Sequence, residues 1–243
     1  MNTATQAIIM AAGFGSRMRP LTNRIPKPLV CVHGVPIIDL TIRTLQQKGI
    51  SDIHVVTGHL ASAFSVLPER YPGVHLIHNP DYCNGNNITS LYHARACLNR
   101  DTIIMDGDLI VNNSDILNPV FLRSCYCSMK MAVDSSEWIA ECDNGIITNC
   151  ITKGGYGWVL RGISFWTKED ALRMGRQLTE AYETKKLRDT FWDYIPLLLH
   201  PEDYKLGIRP ISATDLTEID TLQELCRIDS TYRYYLESEE SQL

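Results

Sequence analysis

Arg17 and Lys27 flank a glycine-bearing stretch, Ala11-Ala12-Gly13-Phe14-Gly15-Ser16-Arg17, which runs on through Pro20-Leu21-Thr22 to Ile25-Pro26-Lys27-Pro28-Leu29. Glycines after a buried strand let backbone N–H groups approach an anion without Cβ clashes. Pro20, Pro26 and Pro28 stiffen the backbone that carries the two cations. A guanidinium can fork two phosphate oxygens, and an ammonium can place its charge on a developing oxyanion. The combination reads as a seat for a triphosphate. A lone Gly-x-Gly would be an ordinary turn. The stretch is not a Walker A loop, because Gly-Lys-Ser/Thr is missing. Nor is it a dinucleotide fingerprint, because the third glycine is absent and Pro20 interrupts the helix.

A triphosphate calls for a metal, and two carboxylates answer. Asp108 ends Ile103-Ile104-Met105-Asp106-Gly107-Asp108, and Asp220 ends Leu216-Thr217-Glu218-Ile219-Asp220. Asp108 follows a buried strand, and carboxylates at the carboxyl end of a parallel strand face the ligand crevice, while Asp220 ends another short strand-like run. Mg2+ takes oxygen ligands and typically uses one or two carboxylates plus substrate phosphates. Asp106 is expected on the nucleotide side, supporting from behind.

A third group fits a cation. Glu137 and Trp138 are adjacent, and Asp189, Phe191, Trp192 and Asp193 lie within five residues. Aromatic faces and carboxylates are what a quaternary ammonium requires, since it can make no strong hydrogen bond. A primary ammonium would instead use directed carboxylates. Lys153, in a Gly-rich turn, is a candidate for the acceptor phosphate. The seven histidines show no metal-binding spacing.

These residues need elements to position them. Ala7–Met10, Ile53–Thr57, Val74–His78 and Thr102–Met105 read as buried strands. Ile37–Lys48, Ala61–Leu67 (closed by Pro68) and Ile88–Leu98 read as the helices between them. This alternation predicts an α/β domain: a Rossmann-like, mostly parallel mixed sheet flanked by helices. Met129–Val133, Ile139–Cys142, Gly145–Cys150 and Val159–Ile163 predict an antiparallel insertion, and Lys168–Tyr182 a further amphipathic helix. Residues 1–231 are expected to form one domain, with 232–243 an acidic tail or the start of a linker.

Composition sets the outer bounds. The chain has 243 residues, 44% hydrophobic and 21% charged, with a net charge of −5. That excludes wholesale disorder and argues against a nucleic-acid partner. No apolar run is long enough for a membrane span, and no signal peptide is recognisable. The eight cysteines form no CxxC, which predicts reduced thiols and a cytoplasmic location.

The arrangement Gly-x-Gly-x-Arg-x-x-Pro-Leu-Thr-x-x-x-Pro-Lys resembles the signature of the nucleotidyltransferases that make sugar nucleotides and activated headgroups. Asn86-Asn87-Ile88-Thr89-Ser90-Leu91-Tyr92, Gly162-Ile163-Ser164-Phe165-Trp166, Phe191-Trp192-Asp193 and Glu218-Ile219-Asp220 resemble, more narrowly, the bacterial choline-phosphate cytidylyltransferases of the LicC type and their phosphonate-activating relatives. The resemblance implies a nucleotide-diphospho-sugar transferase-like fold, CTP as donor and Mg2+ on Asp108 and Asp220. It implies Lys27 and Arg17 as the catalytic cations. It places Ala11, Ala12, Gly13 and Gly15 at the phosphates, Asn87 and Ser90 near the cytosine, and Thr57 and Gly58 near the base or ribose. The expected reaction moves CMP onto phosphocholine, giving CDP-choline and pyrophosphate. The alternative acceptor is 2-aminoethylphosphonate. Phe191 stands where the choline enzymes carry Tyr, which weighs towards that alternative. A sugar-1-phosphate nucleotidyltransferase is disfavoured by the acidic and aromatic acceptor residues. A non-catalytic nucleotide-binding subunit is disfavoured because Arg17, Lys27, Asp108 and Asp220 are all present. Oligomeric state, a homodimer included, is left open.

Overall fold

The run after Gln6 faces two cores at once. Gln6–Ala11 forms strand β1, buried throughout. Its Ala7, Ile9 and Ala11 enter one hydrophobic cluster, and Ile8 and Met10 enter another. A strand apolar on both faces belongs at the centre of a parallel sheet covered on both sides. Ile37–Gln47 (α1) follows, then Asp52–Thr57 (β2), Val74–His78 (β3), Ile88–His93 (α2) and Thr102–Asp106 (β4). Helix α1 buries Ile38, Ile42 and Leu45 in the first cluster, and α2 buries Ile88 and Leu91 in the second. These observations come from a computed structural model that describes residues 1–134 and 137–240, the side chains of 237–240 excepted. Ser135 and Ser136, beside the predicted acceptor residues, and 241–243 of the predicted tail lie outside the described residues.

The parallel strands run in the order β3-β2-β1-β4. Succession therefore reverses at β1: β2 and β3 lie on one side, β4 on the other. In open α/β sheets a ligand crevice opens at such a switch point, outside the carboxyl ends of the strands. Here those ends are Ala11, entering the glycine loop, and Asp106. Gly107 donates its N–H to the Met10 carbonyl (3.0 Å), and a Cβ there would lie 2.9 Å from that oxygen. Glycine is what lets the two loops meet.

The second half adds Leu109–Val111 (β5), Cys125–Val133 (β6), Ile139–Asp143 (β7), Ile146–Ile151 (β8), Gly155–Trp166 (β9), Lys168–Thr179 (α3), Gly207–Pro210 (β10), Leu216–Glu218 (β11), Leu222–Ile228 (α4) and Arg233–Glu240 (α5). Strand β9 pairs antiparallel with β4 and carries the insertion on the sheet. Strand β6 pairs with both β9 and β10, so the inserted strands curl back on themselves. The four strands expected in the insertion pair antiparallel with one another, and β10, which was not among them, adds a parallel pairing to β6. Among the described residues no helix is long and apolar enough to cross a membrane.

Several boundaries differ from the sequence reading. Pro68 does not close a helix. It sits in the first turn of Leu67–Arg70, where its missing N–H costs nothing, after a separate turn at Ala61–Phe64. The helix expected to reach Leu98 ends at His93, followed by a tighter turn over Arg95–Cys97. Helix α3 gives way at Glu180–Thr184 to a wider turn. Residues 233–240 are helical, and Tyr232, Tyr235 and Leu236 pack on a third cluster that includes Met18, Leu21 and Ile219.

Candidate active site

A cleft of ≈ 400 Å³ opens at the switch point, walled by the glycine loop, Arg17, Lys27, Asp108 and Asp220. Each wall has a local cause. Gly15 takes φ +61, and a Cβ on it would press within 3.0 Å of Thr22, whose hydroxyl donates to the Gly15 carbonyl at 2.9 Å. The loop is thereby folded onto Met18, Leu21 and Val30, all buried. Pro26 and Pro28 bracket a single turn that presents Lys27 inward, only 8% exposed. Asp108 immediately precedes β5, which pairs antiparallel with β11. That small ribbon carries Glu218 and Asp220 to Asp108. Asp220 is then pinned by the capping box of α4: the Glu224 carboxylate accepts from the N–H groups of Asp220 (2.9 Å) and Thr221 (2.8 Å).

The charges meet as a chain. The Lys27 ammonium donates to Asp108 at 2.5 Å and to Asp220 at 2.8 Å, and the Arg17 guanidinium donates to Asp220 at 2.9 Å. Burial opposes the Lys27 charge, but the two aspartates outweigh it and raise its pKa. Glu218 joins the cluster. Its carboxylate oxygen and those of Asp108 and Asp220 lie within 4.8 Å of one another. Burial, with the Asp108 and Asp220 charges, pushes Glu218 up to about 7 against the pull of Arg161, 3.1 Å away. Oδ1 of Asp108 is buried and has no hydrogen-bond partner. An all-oxygen set with an orphaned carboxylate oxygen can hold a hard divalent cation.

A second space of ≈ 370 Å³ continues from the first across Gly13, Gly15 and Asn86. Phe14 and Tyr82 line it, their ring centroids 5.2 Å apart, and Ala12, Asn87, Ser90 and Asp106 complete it. An aromatic wall facing amides and hydroxyls suits a flat heterocycle. Thr57 and Gly58 stand behind this wall. Thr57 is buried at the end of β2, and Gly58 packs under Tyr82, where a Cβ would lie 2.6 Å from the Tyr82 Cβ. Neither lines the cleft. The Asn87 side-chain oxygen accepts from the Trp192 N–H at 2.9 Å, and the Ser90 hydroxyl accepts from Asn79 at 3.0 Å.

Behind this wall a small cavity of ≈ 30 Å³ is bounded by Asp106, Tyr126, Gly162, Trp192 and Asp193. Burial holds Asp106 well above the usual carboxylate range, and the charges of Asp108 and Asp193 add to the shift. Burial likewise pushes Asp193 up to about 7. Tyr126 faces Asp193 electrostatically, yet its buried hydroxyl lacks a hydrogen bond of normal geometry. Trp192 is only 4% exposed and packs on Trp166 and Tyr126, within the second core cluster. Trp138 and Phe191 do meet: their centroids are 5.7 Å apart at 89°, and Phe191 is 44% exposed. Glu137, Lys153 and Asp189 are exposed around them.

This geometry can be set beside known proteins. The profile of the Nucleotidyl transferase family matches residues 6–115. The 2-aminoethylphosphonate cytidylyltransferase of Lancefieldella rimae is 38% identical over 236 residues, 96% of each chain. The chain belongs to the cytidylyltransferase branch of the nucleotidyl transferase family. Another cytidylyltransferase, the choline-phosphate enzyme of Streptococcus pneumoniae, is 31% identical over 92% of this chain and 96% of its own. The solved structure of the CTP:phosphocholine cytidylyltransferase of Streptococcus pneumoniae superposes with a TM-score of 0.84 at 29% identity, covering 95% of this chain and 99% of that one.

Within this cytidylyltransferase frame, sequence reasoning missed Glu218, Phe14, Tyr82 and Arg161. Glu218 had a signal: it stands two residues before Asp220, and alternate residues of an extended segment share a face. The aromatic wall had none, because Phe14 follows β1 and Tyr82 follows β3, and only the sheet order β3-β2-β1 brings those two loops together.

Proposed function

We propose that this cytidylyltransferase moves CMP from CTP to 2-aminoethylphosphonate, releasing pyrophosphate. The observation that carries the acceptor is the burial of Trp192. With that ring in the core, the site offers a cation two rings, Trp138 and Phe191, already packed edge to face. A quaternary ammonium depends on surrounding ring faces. A primary ammonium is served by carboxylates, and among the described residues those of exposed Glu137 and Asp189 have no hydrogen-bond or ion partner. The identity to the Lancefieldella rimae relative supports the same acceptor.

The reaction is an in-line displacement. A phosphonate oxygen bonds to the α-phosphorus as the bond to the bridging β-phosphate oxygen breaks, and the electron pair leaves with pyrophosphate. The acceptor oxygen is already anionic near pH 7, so no general base is needed. Lys27 exchanges its carboxylate partners for α-phosphate oxygens and stabilises their growing charge. Arg17, at the open rim of the loop, holds the departing pyrophosphate. Asp108 and Asp220, with Glu218, are the residues that would hold Mg2+, which when bound would neutralise phosphate charge and polarise the α-phosphate. Asp106 sets the shape behind them. The eight free thiols and the CTP requirement support a cytoplasmic setting.

The test is pyrophosphate release with CTP, Mg2+ and each acceptor in turn. The expected result is a kcat/KM for 2-aminoethylphosphonate at least about tenfold above that for phosphocholine, a difference of one hydrogen-bonded ion contact. The opposite order overturns the acceptor and selects phosphocholine. That second reading is favoured by the perpendicular Trp138–Phe191 pair, whose faces form a corner for methyl groups.

A further inference from the structure

Three hydrogen bonds tie the nucleotide wall to the segment that carries the acceptor residues. The Asn86 N–H donates to the Arg188 carbonyl (2.7 Å), the Ile88 N–H to that of Thr190 (3.4 Å), and the Trp192 N–H to the Asn87 side-chain oxygen (2.9 Å). Gly85 lies so close to this segment that a Cβ would come 2.4 Å from the Arg188 carbonyl oxygen. The far side of the segment is clamped too: the Arg188 guanidinium lies 4.0 Å over Tyr182, which stacks at 3.8 Å on Tyr92.

We propose that Asn87 is a positioning residue that serves both substrates through the two ends of one amide. This rests on the assignment of segment 188–193 to the acceptor. The Trp192 N–H can only donate, so the atom facing it must be the amide oxygen. The NH2 end is then left for the nucleotide cleft, which Asn87 lines and where that end has no protein partner among the described residues. The oxygen fixes the backbone between Phe191 and Asp193, and the NH2 faces the base. Asn87 is thus the hinge pin between two pockets rather than a reader of the cytosine alone.

The test is steady-state kinetics on the full chain, with CTP and acceptor varied separately and folding checked by thermal melts. Asn87→Ala removes both ends and is expected to raise KM about tenfold for each substrate. Asn87→Asp keeps an oxygen opposite the Trp192 N–H and replaces the donor with an anion. It is expected to raise KM for CTP while leaving acceptor KM within about twofold of the parent. Gly85→Ala keeps Asn87 but displaces the Arg188 carbonyl, and should raise acceptor KM. An unchanged acceptor KM in Asn87→Ala overturns the proposal. So does an Asn87→Asp protein that matches Asn87→Ala in both constants. If the parent chain uses phosphocholine instead, only the acceptor assignment fails, and the same KM split is read with phosphocholine.

Discussion

Lys27 and Asp220 stand 193 residues apart in the chain, and their side chains meet at 2.8 Å. The same ammonium holds Asp108, so one buried cation neutralises carboxylates from two strands. In the free protein these charges satisfy each other. Under the proposed mechanism, substrate binding is an exchange of partners, with the site ordered before CTP arrives.

Removing the ammonium tests this directly. Lys27→Ala should lower kcat by about 10²–10³-fold, as loss of an oxyanion-stabilising group does. It should also lower the melting temperature of the free protein, because Asp108, Asp220 and Glu218 then face one another without a buried cation. Stopped-time pyrophosphate assays and thermal melts check the two halves.

Asp108→Ala should cost turnover far more than folding. The orphaned Oδ1 of Asp108 contributes no hydrogen bond to stability, and Lys27 keeps Asp220 as a partner when its bond to the other Asp108 oxygen is lost. A chelator should abolish pyrophosphate release by the parent protein, and added Mg2+ should restore it. Near-normal turnover in Asp108→Ala would remove the metal assignment.

Glu218→Gln keeps size and removes one charge from the carboxylate cluster. The Mg2+ concentration for half-maximal rate should rise about tenfold, while KM for the acceptor stays unchanged. An unaltered Mg2+ requirement would make Glu218 a partner of Arg161 alone.

Asp193 predicts a pH dependence of stability. Its folded pKa is about 7, well above the ordinary ~3.9. Between those values the folded chain keeps a proton that the unfolded chain has released, so stability falls as pH rises through about 7. Glu218, also near 7 when folded, adds to the same slope. Asp193→Asn should flatten part of this fall and raise the melting temperature at pH 8 by about 2–4 °C or more. Melting curves from pH 5 to pH 8 decide it. An equal slope in both proteins would show that Asp193 is ionised throughout.

The acceptor end gives a specificity prediction. Phe191 is exposed and packs at right angles to Trp138. Trp138→Ala should raise KM for either acceptor about tenfold without changing KM for CTP, as loss of a cation–π wall does. Phe191→Tyr should shift the ratio of rates towards phosphocholine. A rise in KM for CTP alone in Trp138→Ala would move these rings away from the acceptor.

Much of this was legible in the chain itself, and the reason is locality. The glycine loop, Arg17 and Lys27 lie within seventeen consecutive residues, 11–27, so residue types and spacing were enough to read that they share one cleft. Strands β1 and β4 showed as continuous apolar runs because both of their faces are covered, whereas β3, at the sheet edge, is only half buried. Asp108 and Asp220 were readable as strand-end acids. Tertiary structure alone decided what those residues touch. It brought Glu218 into the carboxylate cluster through the β5–β11 ribbon. It sent Trp192 into the core and left Phe191 outside, although the two are adjacent, because a turn closed by the Tyr194 N–H on the Phe191 carbonyl (3.1 Å) swings the chain between them. It turned the Asn87 oxygen onto a backbone N–H 105 residues distant. Spacing along the chain encodes which groups are available, whereas the choice among partners is made by long-range packing that no local pattern records.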